Sequence, residues 1–184
     1  MGALMGGYYT PVIVDPYPPN YAGQAIEQLD YLDPLIIRRE INAVKMRDGK
    51  DNADFIVGAP YRITYRLEGD QSPRVIEVPR GMLTDLSSVP WWGRWLVSQV
   101  GPHLEASIIH DFLYIAWQDL DAPDGKPREP SQADKLFADR ILLAGMQAVN
   151  VTAVQRQLIY GAVRAGGWPV FSERDEPRYY DFWS

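Results

Sequence analysis

Apolar and polar residues alternate along Tyr61-Arg62-Ile63-Thr64-Tyr65-Arg66-Leu67, the period-two signature of a strand with one buried face. Glu68-Gly69-Asp70-Gln71-Ser72-Pro73 reads as a turn, and Arg74-Val75-Ile76-Glu77-Val78 as the return strand. Upstream, Val44–Arg47 and Phe55–Val57 flank Asp48-Gly49-Lys50-Asp51-Asn52, a second hairpin-like loop. The stretch from about 35 to 80 is therefore expected to be an antiparallel meander. Beyond it the period changes. Ile109, Phe112, Leu113 and Ala116 mark one face of a helix over Leu104–Gln118. After a proline-containing loop at 119–130, Ser131 is placed to cap a helix carrying Phe137, Ile141, Ala144 and Ala148, with Asp134 at capping-box spacing. Thr152 is placed to cap a third, carrying Val154, Leu158 and Ala162 and stopped by Gly166-Gly167. A short helix over Trp91–Val100 is also compatible with the pattern. The expected class is α+β: a small antiparallel sheet or meander followed by a three-helix unit.

The two ends lack either period. Residues 1–34 mix five prolines with five tyrosines, and residues 168–184 form a second aromatic, proline-containing stretch. Proline favours extended backbone and removes helix donors. The expected organisation is an extended arm at 1–34, one α+β domain at 35–167 and an aromatic arm at 168–184. The aromatic content suits arms that lie on a surface, either their own domain or a neighbouring subunit. A hydrophobic content of 46% and aromatic content of 12% are those of a globular chain, and 184 residues suffice for one real core. A net charge of −6 with no basic stripe disfavours nucleic acid. The absence of cysteine excludes disulfides and thiolate metal sites. No apolar run approaches a membrane span, and no signal-peptide layout opens the chain, so synthesis in the cytoplasm is expected.

The candidate chemistry is a set of acids and a histidine set among apolar residues: Asp85 after Thr84, His110-Asp111 in the first long helix, and Asp134 at the start of the second. A carboxylate in such surroundings needs a partner, because an unpaired buried charge is costly. His110 and Asp111 are candidates for general acid–base catalysis. Asp85, His110 and Asp134 are candidates for a divalent cation site, since one imidazole with carboxylates suits Mg²⁺, Mn²⁺, Ca²⁺ or a hydrolytic Zn²⁺. Each has a structural alternative. His110 can be a buried, hydrogen-bonded packing residue, Asp134 a helix cap, and Asp85 a turn residue. Trp91, Trp92 and Trp95 are read as core. The chain carries no Walker, dinucleotide-binding or G-x-S-x-G motif.

Four ordered segments resemble a family of phage and prophage proteins known as domain of unknown function 1353. They are Val78-Pro79-Arg80-Gly81-Met82-Leu83-Thr84-Asp85-Leu86-Ser87-Ser88-Val89-Pro90, His110-Asp111-Phe112-Leu113-Tyr114, Ala133-Asp134-Lys135-Leu136-Phe137 and Ala162-Val163-Arg164-Ala165-Gly166-Gly167. The resemblance spans about Val57 to Gly167. It departs at Met82, where the family usually has an aromatic residue. It carries no activity, but it implies a viral setting. The expected function is a virion-associated protein of the tail or tail tip, binding other phage structural proteins as a homo- or hetero-oligomer through its arms. The alternative is a phage-carried, metal-assisted hydrolase acting on cell-envelope material through the His/Asp cluster.

Overall fold

Tyr61, Ile63, Tyr65 and Leu67 are buried while Arg62 stays exposed, so the alternating segment forms a strand with one face in the core. A computed structural model describes residues 7–39, 54–85, 101, 103–174 and 178–181. Its strands are β1 (Gly7–Tyr8), β2 (Ile26–Tyr31), β3 (Ile37–Arg38), β4 (Asp54–Val57), β5 (Tyr61–Leu67), β6 (Arg74–Val78), β7 (Leu83–Asp85) and β8 (Tyr180–Asp181). The helices are α1 (Leu104–Ile115), continued by a 3₁₀ turn at Ala116–Asp119, then α2 (Gln132–Ala148), α3 (Ala153–Gly166) and the short α4 (Trp168–Ser172). Among the described residues the strands pair as three small antiparallel sheets, β1-β8, β2-β5-β6 and β3-β4-β7. The protein is α+β.

The hairpin β5-β6 forms where the alternation places it. Asp70 closes the turn by accepting from the Leu67 N–H at 3.2 Å and pairing with Arg74 at 2.7 Å. On the exposed face, Arg62 and Glu77 are register partners, an opposite-charge cross-strand pair. Both expected caps are present. The Asp134 N–H donates to Ser131 Oγ at 3.0 Å, and the Gln155 N–H to Thr152 Oγ1 at 3.4 Å. Of the upstream hairpin, Asp54–Val57 is a strand, and its loop at 48–52 lies outside the described residues. The proposed helix over Trp91–Val100 and its tryptophans lie outside them as well.

The N-terminal segment expected as an arm contributes directly to the domain. Ile26–Tyr31 pairs with β5 as an edge strand of the β2-β5-β6 sheet, and Tyr17 and Tyr21 are each only 5% exposed. Phe137 on α2 is the common neighbour, with ring centroids 6.3 Å from Tyr17, 5.3 Å from Tyr21 and 5.3 Å from Tyr65. The Tyr17 hydroxyl donates to the Leu113 carbonyl, and Arg128 lies over its ring at 4.8 Å. Prolines at 16, 18 and 19 restrict the backbone of this stretch, but its rings are apolar enough to be drawn into the core. The C-terminal segment is likewise structured. Phe171, Tyr179 and Tyr180 are buried, and Trp117 Nε1–H is shared between the carbonyls of Tyr114 and Phe171, each at 3.0 Å.

β1 and β8 close the chain's two ends against each other, with Gly7 opposite Asp181 and Tyr8 opposite Tyr180. Gly81 makes this junction possible. Its φ is +86°, and a Cβ there would lie 2.6 Å from the Tyr180 carbonyl oxygen.

Candidate functional site

α1 is buried along Ile109, Phe112 and Leu113, and it carries His110 and Tyr114 one turn apart on a flank facing α2. α2 answers with Lys135 and Asp139, also one turn apart. Their side chains meet at Asp139, which is 0% exposed. One carboxylate oxygen, Oδ1, accepts from the Tyr114 hydroxyl at 2.7 Å and lies 3.2 Å from His110 Nε2. The other, Oδ2, accepts from Lys135 Nζ at 2.7 Å and from Arg164 of α3 at 3.0 Å. Lys135 Nζ donates in addition to the Val163 carbonyl at 2.9 Å. Gly167 lets the third helix end this close. A Cβ there would lie 2.5 Å from the Tyr114 hydroxyl and 3.1 Å from Lys135 Cε.

On the far side of the imidazole, Asp111 Oδ1 lies 4.0 Å from His110 Nδ1. Asp111 Oδ2 accepts from the Thr84 hydroxyl of β7 at 2.7 Å. A chain of polar groups therefore runs from Thr84 through Asp111 and His110 to Asp139, and on to Lys135 and Arg164. All four sequence segments contribute: Thr84 from the first, His110, Asp111 and Tyr114 from the second, Lys135 from the third and Arg164 from the fourth. The cluster reaches solvent at its two ends, where the side chains of Asp111 and Arg164 are 30% and 37% exposed, against 8% for His110.

The hydrogen-bond partner at Nε2 decides the tautomer of His110. Burial alone raises the pKa of Asp139, but hydrogen bonds and charge from His110, with Lys135 and Tyr114, outweigh it and hold the carboxyl at about 2. Asp139 is thus ionised at neutral pH and can only accept. The proton between them must sit on His110 Nε2, and in the neutral ring Nδ1 carries the lone pair, on the side of Asp111. The 4.0 Å separation from Nδ1 to Asp111 is too long for a direct hydrogen bond. Tyr114 stays a donor, because burial and then the Asp139 charge push its pKa far up.

Asp134 is engaged elsewhere. Its carboxylate accepts from Arg128 at 2.8 Å, and Arg128 also pairs with Asp15 at 2.6 Å. That ion-pair group ties the N-terminal segment to α2. Asp85 lies in β7 opposite Asp54, and its side chain falls outside the described residues. Among the described residues no group of three His, Cys, Asp or Glu side chains is arranged to hold a metal ion. His103 precedes α1 and is itself buried.

Asp139 is the residue that sequence reasoning missed. A signal existed. Asp139 heads a helical stripe with Leu142 and Met146, three and seven residues on, both of which are buried. An acid leading an apolar stripe, four residues after a lysine, marks a buried ion pair. No curated protein and no solved structure matches the chain. Residues 61–163, more than half of the sequence and the part that supplies the cluster up to Val163, match the model of the family described as protein of unknown function DUF1353, and the chain belongs to that family.

Proposed function

We propose that the protein is a phage-carried hydrolase of cell-envelope material in which His110 is the general acid–base. The observation that supports this most is the imidazole held at Nε2 by a buried, ionised Asp139 while Nδ1 faces the partly exposed Asp111. In this reading a water held between Nδ1 and Asp111 attacks the electrophilic carbon of the substrate. His110 Nδ1 takes the water's proton as the new C–O bond forms. The imidazolium, stabilised by Asp139, then returns the proton to the leaving group as its bond to that carbon breaks. Thr84 holds Asp111 in place through its hydroxyl. The phage setting is taken from the resemblance of the four motifs. Proton transfer of this kind contributes roughly 10²–10⁴ in rate. The full-length protein is therefore expected to release soluble fragments from purified cell-wall material. His110→Gln should slow release by about 10²–10⁴ while its melting temperature stays near that of the wild type. A His110→Gln variant that remains as active as the wild type would overturn the assignment.

A role as a virion component, in the tail or tail tip, is favoured by one further observation. Along the extended N-terminal segment the outward residues Val12 and Val14 are 100% and 87% exposed, while Ile13 between them packs on the core. Such a row suits contact with a neighbouring phage subunit. The two readings are compatible. Replacing both valines by serine is expected to leave the melting temperature unchanged and to abolish incorporation into particles. Normal incorporation would refute the subunit role of this row.

A further inference from the structure

Arg164 stands at the solvent-facing end of the cluster, on the opposite side of His110 from Asp111. Among the described residues its only polar partner is Asp139 Oδ2, which takes one of its nitrogens at 3.0 Å. A guanidinium presents five N–H donors in a planar fork, so most of this one is unused, and the side chain is 37% exposed. Lys135 shares the same carboxylate oxygen. The Asp139 end thus gathers a lysine and an arginine on one carboxylate, in a protein whose overall charge is −6. The excess positive charge is local, and it lies one carboxylate away from the imidazole. At the other end the Asp111 carboxylate repels anions. Arg164 and the Tyr114 hydroxyl both donate to Asp139, at 3.0 and 2.7 Å, and Asp111 lies across the imidazole from them.

We propose that Arg164 anchors an oxyanion of the substrate, a carboxylate or a phosphate, and so orients the substrate with its anionic group on α3 and its scissile bond toward His110 and Asp111. The inference rests on the hydrolase reading for its mention of a scissile bond, but the oxyanion site itself does not. Arginine suits the role because the fork can bind two oxygens while Asp139 holds its other edge. Anchoring by a group already fixed in the protein costs little further ordering.

The test is a titration of the ¹⁵N-labelled full-length protein, following the Arg164 Nε–H and His110 ring signals. The probes are inorganic phosphate, an N-acetylated dipeptide with a free carboxylate, and the same dipeptide as its C-terminal amide. The expected result is a saturable shift of Arg164 with phosphate or the free acid, none with the amide, and weakening with added salt. Arg164→Lys should bind about tenfold more weakly and Arg164→Gln not measurably. Whichever probe binds identifies the source of the oxyanion. No Arg164 shift with either anion in the wild-type protein, or equal binding by the amide or by a folded Arg164→Gln, would overturn the proposal. Should these variants fail to fold, the wild-type titration still decides it. His110→Gln separates the two readings. Anion binding without turnover in any form would sink the hydrolase and leave the oxyanion site standing. Turnover without anion binding would do the reverse.

Discussion

Replacing Asp139 by asparagine changes one oxygen to an amide nitrogen with almost no change of volume. Among the described residues it removes the only negative charge paired with Lys135, whose side chain is 2% exposed and whose remaining polar contact is the neutral Val163 carbonyl. It also turns one acceptor into a donor, aimed at groups that themselves donate. Arg164 is exposed enough to be rehydrated, but Lys135 is not. Stranding one member of a buried ion pair costs about 3–5 kcal/mol. That is a large part of the roughly 5–15 kcal/mol that keeps a domain folded. For a chain of this length it corresponds to a drop of about 6–20 °C in melting temperature. Urea unfolding followed by tryptophan fluorescence and far-UV circular dichroism measures it, with an unchanged slope showing that the same surface unfolds. Adding Lys135→Met to Asp139→Asn removes the stranded ammonium and should restore part of the loss. The carboxyl also predicts an acid limb. Its pKa falls from the unfolded 3.8 to about 2 in the fold, so its contribution is complete above the unfolded value and lost as pH drops through 3.8 toward 2. The wild-type protein should lose about 2 kcal/mol over that window through this group, and Asp139→Asn should not. An Asp139→Asn variant within about 1 kcal/mol of wild type, with an unaltered acid limb, would refute the picture of a buried charge hub.

Two other substitutions test the packing. Tyr17→Ala empties a ring site against Phe137 and removes the aromatic face under Arg128, so it should cost about 3–5 kcal/mol, whereas Tyr17→Phe should cost about 1 kcal/mol. Near-neutral Tyr17→Ala in a urea titration would mean that the N-terminal segment is only laid on the domain. Tyr61 is 1% exposed, stacks on Tyr31 at 6.2 Å, and has a buried hydroxyl with no hydrogen-bond partner among the described residues. Tyr61→Phe is therefore expected to be neutral or to stabilise by up to about 1 kcal/mol, and a loss above that in thermal melts would reveal a partner for the hydroxyl.

The elements that depend on near neighbours were legible in the chain. The β5-β6 hairpin follows from alternation and a Gly-Asp turn, and the α2 and α3 starts follow from Ser131 and Thr152. What the sequence concealed depends on contacts between distant residues. Proline and glycine content reports how a backbone can bend, not whether Tyr17 and Tyr21 find a hydrophobic seat, so the first 34 residues read as an arm although 26–31 form an edge strand paired with β5. For the candidate site, His110 and Asp111 were identifiable as adjacent polar residues of one helix, but the buried partner of His110 was not. Asp134 and Asp139 both lie on α2 among buried residues, and only the tertiary arrangement shows that the first faces Arg128 and the second faces His110. Local rules favour Asp134, which sits at a helix start where a carboxylate is welcome. Asp139, in a helix interior, is tolerated because three other side chains of the same cluster, His110, Tyr114 and Arg164, come to it from outside its own helix.

The pairing of Gly7-Tyr8 with Tyr180-Asp181 also governs when the molecule can be finished. Residue 8 leaves the ribosome early and must wait for residue 180, a separation of 172 positions (180 − 8). Taken alone, closing a loop of that size costs roughly 4–5 kcal/mol of chain entropy. β1 therefore cannot nucleate the fold and is expected to dock last, after the intervening sheets and helices have brought its partner near. Until that moment the Tyr8 and Tyr9 rings lack the Tyr180 and Tyr179 rings they pack against. A stalled or truncated chain ending before β8 would keep them uncovered, which makes the last-formed junction a natural place for quality control to act.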